Sequence, residues 1–302
     1  MPSLLDPLLV QLAVNAVAPI LLAALAGALC ERAGVFNIAL EGQLLVGAFA
    51  AVVGSWFTHS PLAGVLIAVL TVTVYSGLLA LAATLFRGDL IVVGIAMNLL
   101  ALGLTAFLLR LIFGVQGAFS DPGLLGLNTL SLPGLAGWPY LDALLNHHTW
   151  IVSASWLLTV LTAAWLFRTP WGLRLRGVGE RPDAAATLGA SVNRYRAGAV
   201  LVAGALCGLA GAQLSIGSVS LFAENMSAGR GWIAVVAVML GRAHPYGVLA
   251  ACVLFGLTDA LGLKLQGAGL PNQLTDIAPY VMTLVALFVS RARRRAGALH
   301  AP

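Results

Sequence analysis

Long apolar runs recur along almost the whole of this chain, and they constrain its fold more than any other feature. Most of them are close to the roughly 20 residues that a helix needs to cross a bilayer. Nine runs fall at about 8–29, 38–57, 62–86, 91–113, 149–167, 197–216, 231–241, 246–263 and 274–290. The chain is 60% hydrophobic and only 9% charged, far from the composition of a soluble domain. The pattern predicts an all-α, polytopic transmembrane helical bundle of about 8–10 spans.

Clustered arginines predict which ends of the spans face the cytoplasm. Six arginines lie within 168–196, and four more lie within 291–302. Positively charged loops stay on the cytoplasmic side, so we place the segment 168–196 and the basic tail 291–302 inside. The segment 114–148 contains no Lys or Arg and is placed outside. Counting spans back from 168 puts Arg32 and Arg87 inside and the N-terminus outside.

The charged residues and the cysteines exclude several classes of protein. The net charge of +5 does not indicate a nucleic-acid partner, because the 16 Lys and Arg residues are few and clustered. Cys30, Cys207 and Cys252 are scattered in or beside apolar runs, which fits neither a disulfide framework nor a metal motif. The pair His147-His148 has no third ligand nearby, and we interpret it as an ordinary outer-loop pair with no metal.

Motifs for catalysis are missing from the sequence. It contains no P-loop, no H-E-x-x-H and no G-x-S-x-G. The sequence therefore gives no indication of an enzyme, and if the protein is powered by ATP, the ATPase must be another chain. The start has no positive n-region, which predicts that the first apolar run stays as a span instead of being cleaved as a signal peptide.

Glycines mark two structural features of the second half. The run 231–241 would form only about 16 Å of helix at 1.5 Å per residue, and it follows a loop that contains Gly217 and Gly229. Short, glycine-interrupted segments are typical of the broken helices of transporters, so we predict a broken or re-entrant helix here. The spacing of Gly204 and Gly208 predicts a close approach between helices.

Polar residues inside the apolar runs are expensive in a membrane and are candidates for function. Glu41 follows Asn37 by four residues, which predicts that both side chains lie on one helix face. They either line a translocation path or serve in packing, with Glu41 near the positive end of a helix dipole. Asn98, in the middle of a run, either bonds to a neighbouring helix or contacts substrate.

A second group of polar residues flanks the loop before the short run. Glu224 and Arg230 either pair at the mouth of a path or are separately solvated. Together the candidate path residues are Asn37, Glu41, Asn98, Gln213, Glu224 and Asn225. Asp259 is the other costly carboxylate, and with Glu41 it could form the relay of an ion-coupled secondary transporter. A purely structural membrane scaffold is a third hypothesis.

The segment 168–196 contains a compact helix signal. Pro182 followed by Asp183 and three alanines is typical of a helix start, and Gly189 is typical of its end. A helix of one to two turns is unstable alone, so we expect it to dock on a partner.

Three stretches resemble one known family. The sequence ERAGVFNIALEG at 31–42 is similar to the signature of permease subunits of ABC importers for branched-chain amino acids, simple sugars and nucleosides. It is closest to the nucleoside permeases that work with a basic-membrane-protein-type lipoprotein. The stretch 172–189 resembles the coupling region of the same family, and 227–247 with 254–261 continues the match.

The resemblance implies a type II ABC importer-like fold with a single transmembrane permease domain over 1–302. It implies translocation of a small polar solute, with a nucleoside favoured over a simple sugar or a branched-chain amino acid. The coupling segment 168–196 would transmit the motion of the ATPases. Residues that the resemblance assigns to this coupling are Gly179, Glu180, Pro182, Ala184, Ala185 and Gly189.

The same resemblance implies several partners. The chain would pair with a second, similar permease as a heterodimer and with two ABC ATPase subunits or domains. An extracytoplasmic substrate-binding lipoprotein would deliver the solute. ATP and Mg would be used by the ATPase, with no cofactor bound by this chain, and the assembly would lie in the lipid of a bacterial cytoplasmic membrane.

Overall fold

The computed structural model describes residues 7–86, 88–130 and 139–266, which are mostly helical. The helices are α1 (Pro7–Arg32), α2 (Leu40–Thr58), α3 (Pro61–Leu81), α4 (Leu90–Phe113), α5 (Pro139–Leu145), α6 (Trp150–Arg168), α7 (Pro170–Glu180), α8 (Pro182–Thr187), α9 (Val192–Ala212), α10 (Arg230–Leu240) and α11 (Pro245–Gln266). Two π-helical segments, Ala82–Phe86 and Gln213–Gly217, extend α3 and α9. Four two-residue strands are β1 (Ala118–Phe119), β2 (Thr129–Leu130), β3 (His148–Thr149) and β4 (Phe222–Ala223).

The described helices match the predicted apolar runs. Seven of them are long and apolar enough to cross a membrane, and they correspond to the first six runs and the eighth. The seventh run forms α10, which has only 11 residues. The ninth run, 274–290, and the tail 291–302 lie outside the described residues. The prediction of an all-α bundle with a broken helix is therefore confirmed for the described part of the chain.

Helices α1, α2 and α9 form the centre of the bundle. The most apolar window of α2 is 83% buried, against 28% for that of α4 and 33% for that of α6. Large apolar side chains on the outer helices are exposed, among them Leu66, Val74, Phe107 and Leu157. Outward-facing apolar residues on long apolar helices are what a lipid environment requires, since lipid replaces water around them.

Glycines allow α9 to lie against α2 and α3. A Cβ atom added at Gly208 would lie 2.6 Å from the Cα of Val69 and 2.8 Å from the carbonyl oxygen of Ala68. A Cβ at Gly204 would overlap the Ser76 hydroxyl. Small residues bring helix backbones together in this way, so the packing predicted from the Gly204–Gly208 spacing is confirmed.

Replacing Gly208 with alanine should therefore lower the stability of the bundle. Overpacking a tight contact typically costs about 1–3 kcal/mol, because backbone or side chains must shift. The measurement is the thermal unfolding midpoint in detergent. Gly198→Ala on the same helix is the matched control: a Cβ there meets nothing within 4 Å, and alanine favours a helix over glycine. Equal unfolding midpoints for the two variants would contradict the packing described.

The loops gather at two opposite ends of the bundle. At one end, β1 pairs with β4 and β2 pairs with β3. There the backbone N–H of Leu127 donates to the Ile216 carbonyl at 2.9 Å. At the other end, the α1 terminus meets α7 and the turn between α10 and α11. This grouping is what the span count requires, and the arginines of 168–196 predict that the α7–α8 end is cytoplasmic.

The chain returns into the bundle between β4 and α10 without forming a helix. Phe222 in β4 packs edge-on against Phe49 in α2, with ring centroids 5.1 Å apart. Seven residues later the backbone of Gly229 reaches Glu41, near the start of α2. The loop thus covers part of the depth of the bundle, and α10 covers the remaining distance to the α7–α8 end.

Candidate functional site

Helix α7 turns back sharply on α6. The Thr169 hydroxyl accepts a hydrogen bond from the Gly172 backbone N–H at 3.1 Å and donates to the Trp165 carbonyl at 2.7 Å. Pro170 occupies the first turn of α7, where its missing N–H costs nothing. A Cβ at Gly172 would overlap the backbone of Trp165 and Leu166, so only glycine permits this approach.

Helix α8 has the limits that the sequence predicts. Arg181 is extended and separates it from α7, Pro182 begins it, and Thr187 ends it. Gly189 then adopts a left-handed conformation with φ of 82°, and its N–H donates to the Ala186 carbonyl at 2.9 Å. A left-handed glycine just after the last turn is a common helix terminator, because glycine has no Cβ to strain.

The α7–α8 end presents an unusual apolar residue to solvent. Glu180 and Ala184 are exposed, and Ala185 is buried. Leu188, at the end of α8, is 89% exposed. Sequence analysis did not single out Leu188, because one leucine in a short polar segment gives no signal until its exposure is known. A protein partner that docks at this end of the bundle would therefore bury the Leu188 side chain.

The α7–α8 unit is tied to the α1–α2 connection. A Cβ at Gly179 would overlap the Arg32 carbonyl and lie 2.9 Å from the Gly34 nitrogen, so the two backbones are in direct contact. The Arg32 side chain continues the link, because it donates to the carbonyls of Ala243 at 2.9 Å and Arg242 at 3.0 Å. A displacement of α7 would therefore reach the turn between α10 and α11.

Glu41 caps the broken helix α10. The side chain is only 8% exposed. One carboxylate oxygen accepts from the Gly229 N–H at 2.8 Å and the other from the Gly231 N–H at 2.7 Å. A carboxylate satisfies otherwise unpaired N–H groups at a helix start and interacts favourably with the helix dipole. The capping alternative therefore describes Glu41, but the helix it caps is α10 and not its own.

Asn37 and Glu41 do not share a helix face, which corrects the prediction from their spacing. Residues 35–38 are not helical and α2 begins only at Leu40, so the four-residue rule does not apply. The Asn37 side chain accepts from the Ala39 N–H at 3.0 Å and donates to Gln43 at 3.1 Å. It therefore stabilises the turn that precedes α2.

Asn98 bonds across to the start of α2, as its packing interpretation predicts. Its side-chain oxygen accepts from the Gly42 N–H at 2.7 Å, and its nitrogen donates to the Ile38 carbonyl at 3.0 Å. These bonds satisfy backbone groups that the first turn of a helix leaves unpaired. The start of α2 is thus fixed by side chains from its own turn and from α4.

Gln213 begins the π-helical segment that extends α9. Its side chain is fully buried, and its oxygen accepts from the Thr149 hydroxyl. Within the described residues, its side-chain nitrogen has no hydrogen-bond partner. A Cβ at Gly217 would overlap this amide, so the glycine leaves room for the Gln213 side chain. π-helical turns frequently occur at functional sites.

Of the two alternatives for Glu224 and Arg230, the direct pair does not form. Glu224 instead accepts from the Gly117 N–H at 3.1 Å, where β1 and β4 meet. Arg230 approaches Asp259 of α11, with 3.7 Å between side-chain nitrogen and carboxylate oxygen, and both side chains are 28% exposed. Asn225 lies in the same loop in a left-handed conformation with φ of 57°. Glu224 and Arg230 thus have different partners, because the chain changes direction between Glu224 and α10.

The two adjacent histidines occupy different environments. His148 is buried, and its ring nitrogens lie 2.9 Å from the Ala143 carbonyl oxygen and 3.2 Å from the Asn15 side-chain oxygen. Burial lowers the pKa of the His148 imidazole. His147 instead lies 3.5 Å from the Asp142 carboxylate. Among the described residues, no three His, Cys, Asp or Glu side chains are grouped to bind a metal ion.

Comparison with known proteins decides the family. A family model described as the permease component of the branched-chain amino acid transport system matches residues 9–287. The chain belongs to this family. The permease is 35% identical over 291 residues to the guanosine ABC transporter permease protein NupQ of Bacillus subtilis, covering 91% of this chain and 90% of that protein. It is 34% identical to the nucleoside ABC transporter permease protein NupC of Lactococcus lactis subsp. cremoris, with 91% and 90% covered.

The fold agrees with a solved structure. A structure described as an inward-facing conformation of an ABC transporter of the metal-chelate type matches the permease with a TM-score of 0.54. The match covers 94% of this chain and 85% of the chain in that structure, at 18% sequence identity. The permease is thus a multi-pass membrane subunit of an ABC importer, a transport component and not an enzyme. A component of this kind works with ATPase and substrate-binding partners.

The six residues predicted to line the path do not form one group. Asn37, Glu41 and Asn98 surround the start of α2, where they fix backbone groups. Gln213 lies towards the other end of the permease, and the pair Glu224 and Asn225 lies in the loop before α10. Their role in translocation stays a prediction. By contrast, the predicted coupling residues lie together on α7, α8 and the turn that follows.

Proposed function

We propose that the permease translocates a nucleoside. The observation that carries this proposal is the similarity to the guanosine and nucleoside permeases over about nine-tenths of the chain. The description of the family favours a second candidate, a branched-chain amino acid. A simple sugar is the remaining alternative from the sequence. The motifs that define the family do not determine the substrate, which depends on the binding protein and on the residues that line the path.

The test is uptake into proteoliposomes that contain the assembled importer. Radiolabelled guanosine, leucine and glucose are supplied outside with the binding protein, and ATP is supplied on the ATPase side. We expect guanosine uptake that requires ATP and that excess unlabelled nucleoside abolishes. ATP-dependent uptake of leucine or glucose, with none of guanosine, would assign the permease to the corresponding alternative.

We infer that the importer is assembled from this chain, a second permease as a heterodimer, two ABC ATPases and an extracytoplasmic lipoprotein. ATP and Mg would act in the ATPases, with no cofactor on this chain. The cytoplasmic membrane of a bacterium is the proposed location, since its relatives NupQ and NupC come from bacteria. The exposed Leu188 on α8 supports docking of an ATPase at the α7–α8 end.

Coupling would run through one contact between backbones and through the Arg32 side chain. ATPase closure would move α8 and with it α7, which lies against Arg32 and Gly34 through Gly179. Arg32 would carry the displacement to the turn at Arg242 and Ala243. That turn ends α10, whose other end is held by Glu41. ATP binding would thus move α10. Its end would be displaced through Arg32, and its start would be held by Glu41.

The pair of Arg230 and Asp259 supports a place for the path. Both charges remain partly exposed on helices that are mostly apolar. A charged pair facing lipid is expensive, whereas one facing a water-filled cavity or a protein neighbour is tolerated. We propose that this face of α10 and α11 lines the path, opposite the second permease.

Breaking this pair should impair transport more than stability. Asp259→Ala leaves Arg230 without its partner at membrane depth, and we expect at least about a tenfold loss of ATP-dependent uptake, equivalent to about 1.4 kcal/mol. The double exchange Arg230→Asp with Asp259→Arg restores opposite charges and should recover most of the uptake. If the exchange transports no better than Asp259→Ala, the charge pair is not the reason for the loss.

An ion-coupled secondary transporter would differ from an ABC importer in what its uptake requires. Glu41 accepts hydrogen bonds from two backbone N–H groups, and Asp259 lies beside Arg230, so a relay that uses both carboxylates would have to break contacts at each of them. Uptake that collapses with an uncoupler while ATP is maintained, and that needs no ATPase subunit, would replace the importer proposal with this alternative.

A further inference from the structure

A cleft of about 490 Å³ lies between α6, α7 and α9 at the α7–α8 end, and the proposed transport cycle assigns no ligand to it. Arg174 and Arg194 stand at its rim. Trp165, Ala199 and Val202 line its deeper part, together with apolar residues of α1 and α7. The cleft therefore has a cationic end and an apolar end.

The apolar end reaches into the membrane. Arg194 and Val202 are eight residues apart on α9, or about 12 Å along the helix axis at 1.5 Å per residue. The run that begins near residue 197 is apolar and belongs to a helix of membrane-spanning length. Val202 is 54% exposed, so its side chain is open to whatever fills the cleft.

The cationic end has no countercharge among the residues that the structure describes. None of the described residues that line the cleft is acidic. Both arginines are exposed, and neither forms an ion pair with a carboxylate of the described residues. Guanidinium groups bind phosphate oxygens with paired hydrogen bonds. Trp171 and Tyr195 line the same end, at the level where aromatic residues anchor proteins to lipid head groups.

We propose that this cleft binds an anionic phospholipid of the leaflet at the α7–α8 end. Its phosphate lies between Arg174 and Arg194, and one acyl chain follows Trp165 and Val202. Basic pockets between transmembrane helices on the cytoplasmic side bind anionic head groups in this manner. A water-soluble ATPase cannot follow a cleft that continues along a membrane-spanning helix as far as Val202, about 12 Å from Arg194, and a soluble anion would leave the apolar part unfilled.

The site also touches the coupling segment. Leu188 and Gly189 line the rim of the same cleft, directly after α8. A lipid bound there would fix the height of α8 relative to the membrane surface. The composition of the bilayer would then act on coupling through this contact.

The test is native mass spectrometry of the assembled importer in detergent, titrated with dioleoylphosphatidylglycerol or dioleoylphosphatidylcholine. The double variant Arg174→Gln with Arg194→Gln should lose phosphatidylglycerol binding by about 30-fold, which is about 2 kcal/mol at about 1 kcal/mol for each arginine. Arg168→Gln is the matched control, because it removes an exposed charge at the same end but outside the cleft. It should bind the lipid as the unmodified protein does.

A second variant separates a lipid from other anions. Val202→Trp fills the deep end without changing the charge, and we expect at least about a tenfold loss of phosphatidylglycerol binding. Inorganic phosphate should not compete. Normal lipid binding by Val202→Trp, combined with competition by phosphate, would show a soluble-anion site and overturn the proposal. Loss of ATPase subunits from the double variant, with lipid binding unchanged, would assign the cleft to the ATPase.

Discussion

Replacing Glu41 with glutamine is expected to release the start of α10 and abolish most transport. The carboxylate accepts two backbone hydrogen bonds, and bonds to a charged group contribute about 1.5–3 kcal/mol each. Glutamine keeps one acceptor but places its NH₂ group against the second N–H donor. One of the two glycine N–H groups is then buried without a partner, and the charge that favours the helix dipole is lost.

Hydrogen–deuterium exchange on residues 226–235, alongside uptake, measures this effect. Exchange should accelerate in that segment and remain slow in α9. Glu31→Gln is the control, because Glu31 is an exposed carboxylate at the end of α1. Glu41→Asp keeps the charge on a shorter side chain and should give an intermediate result. Unchanged exchange in Glu41→Gln would mean that packing alone holds α10.

Replacing Leu188 with aspartate is expected to uncouple the ATPases from the permease. Burying a leucine in a partner's groove contributes about 1.5–3 kcal/mol, which corresponds to roughly 10- to 100-fold in affinity. An aspartate would in addition have to lose its hydration in that groove. Since Leu188 is 89% exposed in the permease alone, the substitution should leave the fold intact.

Co-purification of the ATPase and ATP-driven uptake report on this substitution. Both should fall at least about tenfold, while insertion and the unfolding midpoint of the permease stay unchanged. Leu141→Asp makes the same change to an exposed leucine of α5, at the opposite end of the bundle, and should retain the ATPase. An importer that keeps its ATPases and its uptake with Leu188→Asp would exclude Leu188 from the docking surface.

The local features of this fold are predictable from the sequence. The lengths of the apolar runs predict the spans. The proline at 182 and the glycine at 189 predict the limits of α8, and the Gly204–Gly208 spacing predicts the close packing of α9. Each depends on residues that are near one another in the chain. Asn98 also fits its expected role, because a polar side chain within an apolar run has few alternatives to a bond across helices.

Contacts between distant parts of the chain were not predictable in this way. Arg230 pairs with Asp259 and not with Glu224, because the chain between Glu224 and Arg230 changes direction. The non-helical turn before Leu40 separates Asn37 from Glu41, although their spacing suits a helix. The partner of Glu41 lies up to 190 positions further along the chain, and only the packed bundle brings the two together.

That separation has a consequence for how the protein is made. Ribosomes add about 5–20 residues per second, so the 190 positions between Glu41 and Gly231 correspond to a wait of about 10 to 40 s. During this interval α2 must enter the membrane with an unpartnered carboxylate. Glu41 lies in the first turn of α2, and so an α2 that has not yet packed can keep this turn at the water interface until α10 is synthesised. The position of this glutamate at the edge of its span thus suits the order of biosynthesis as well as the finished structure.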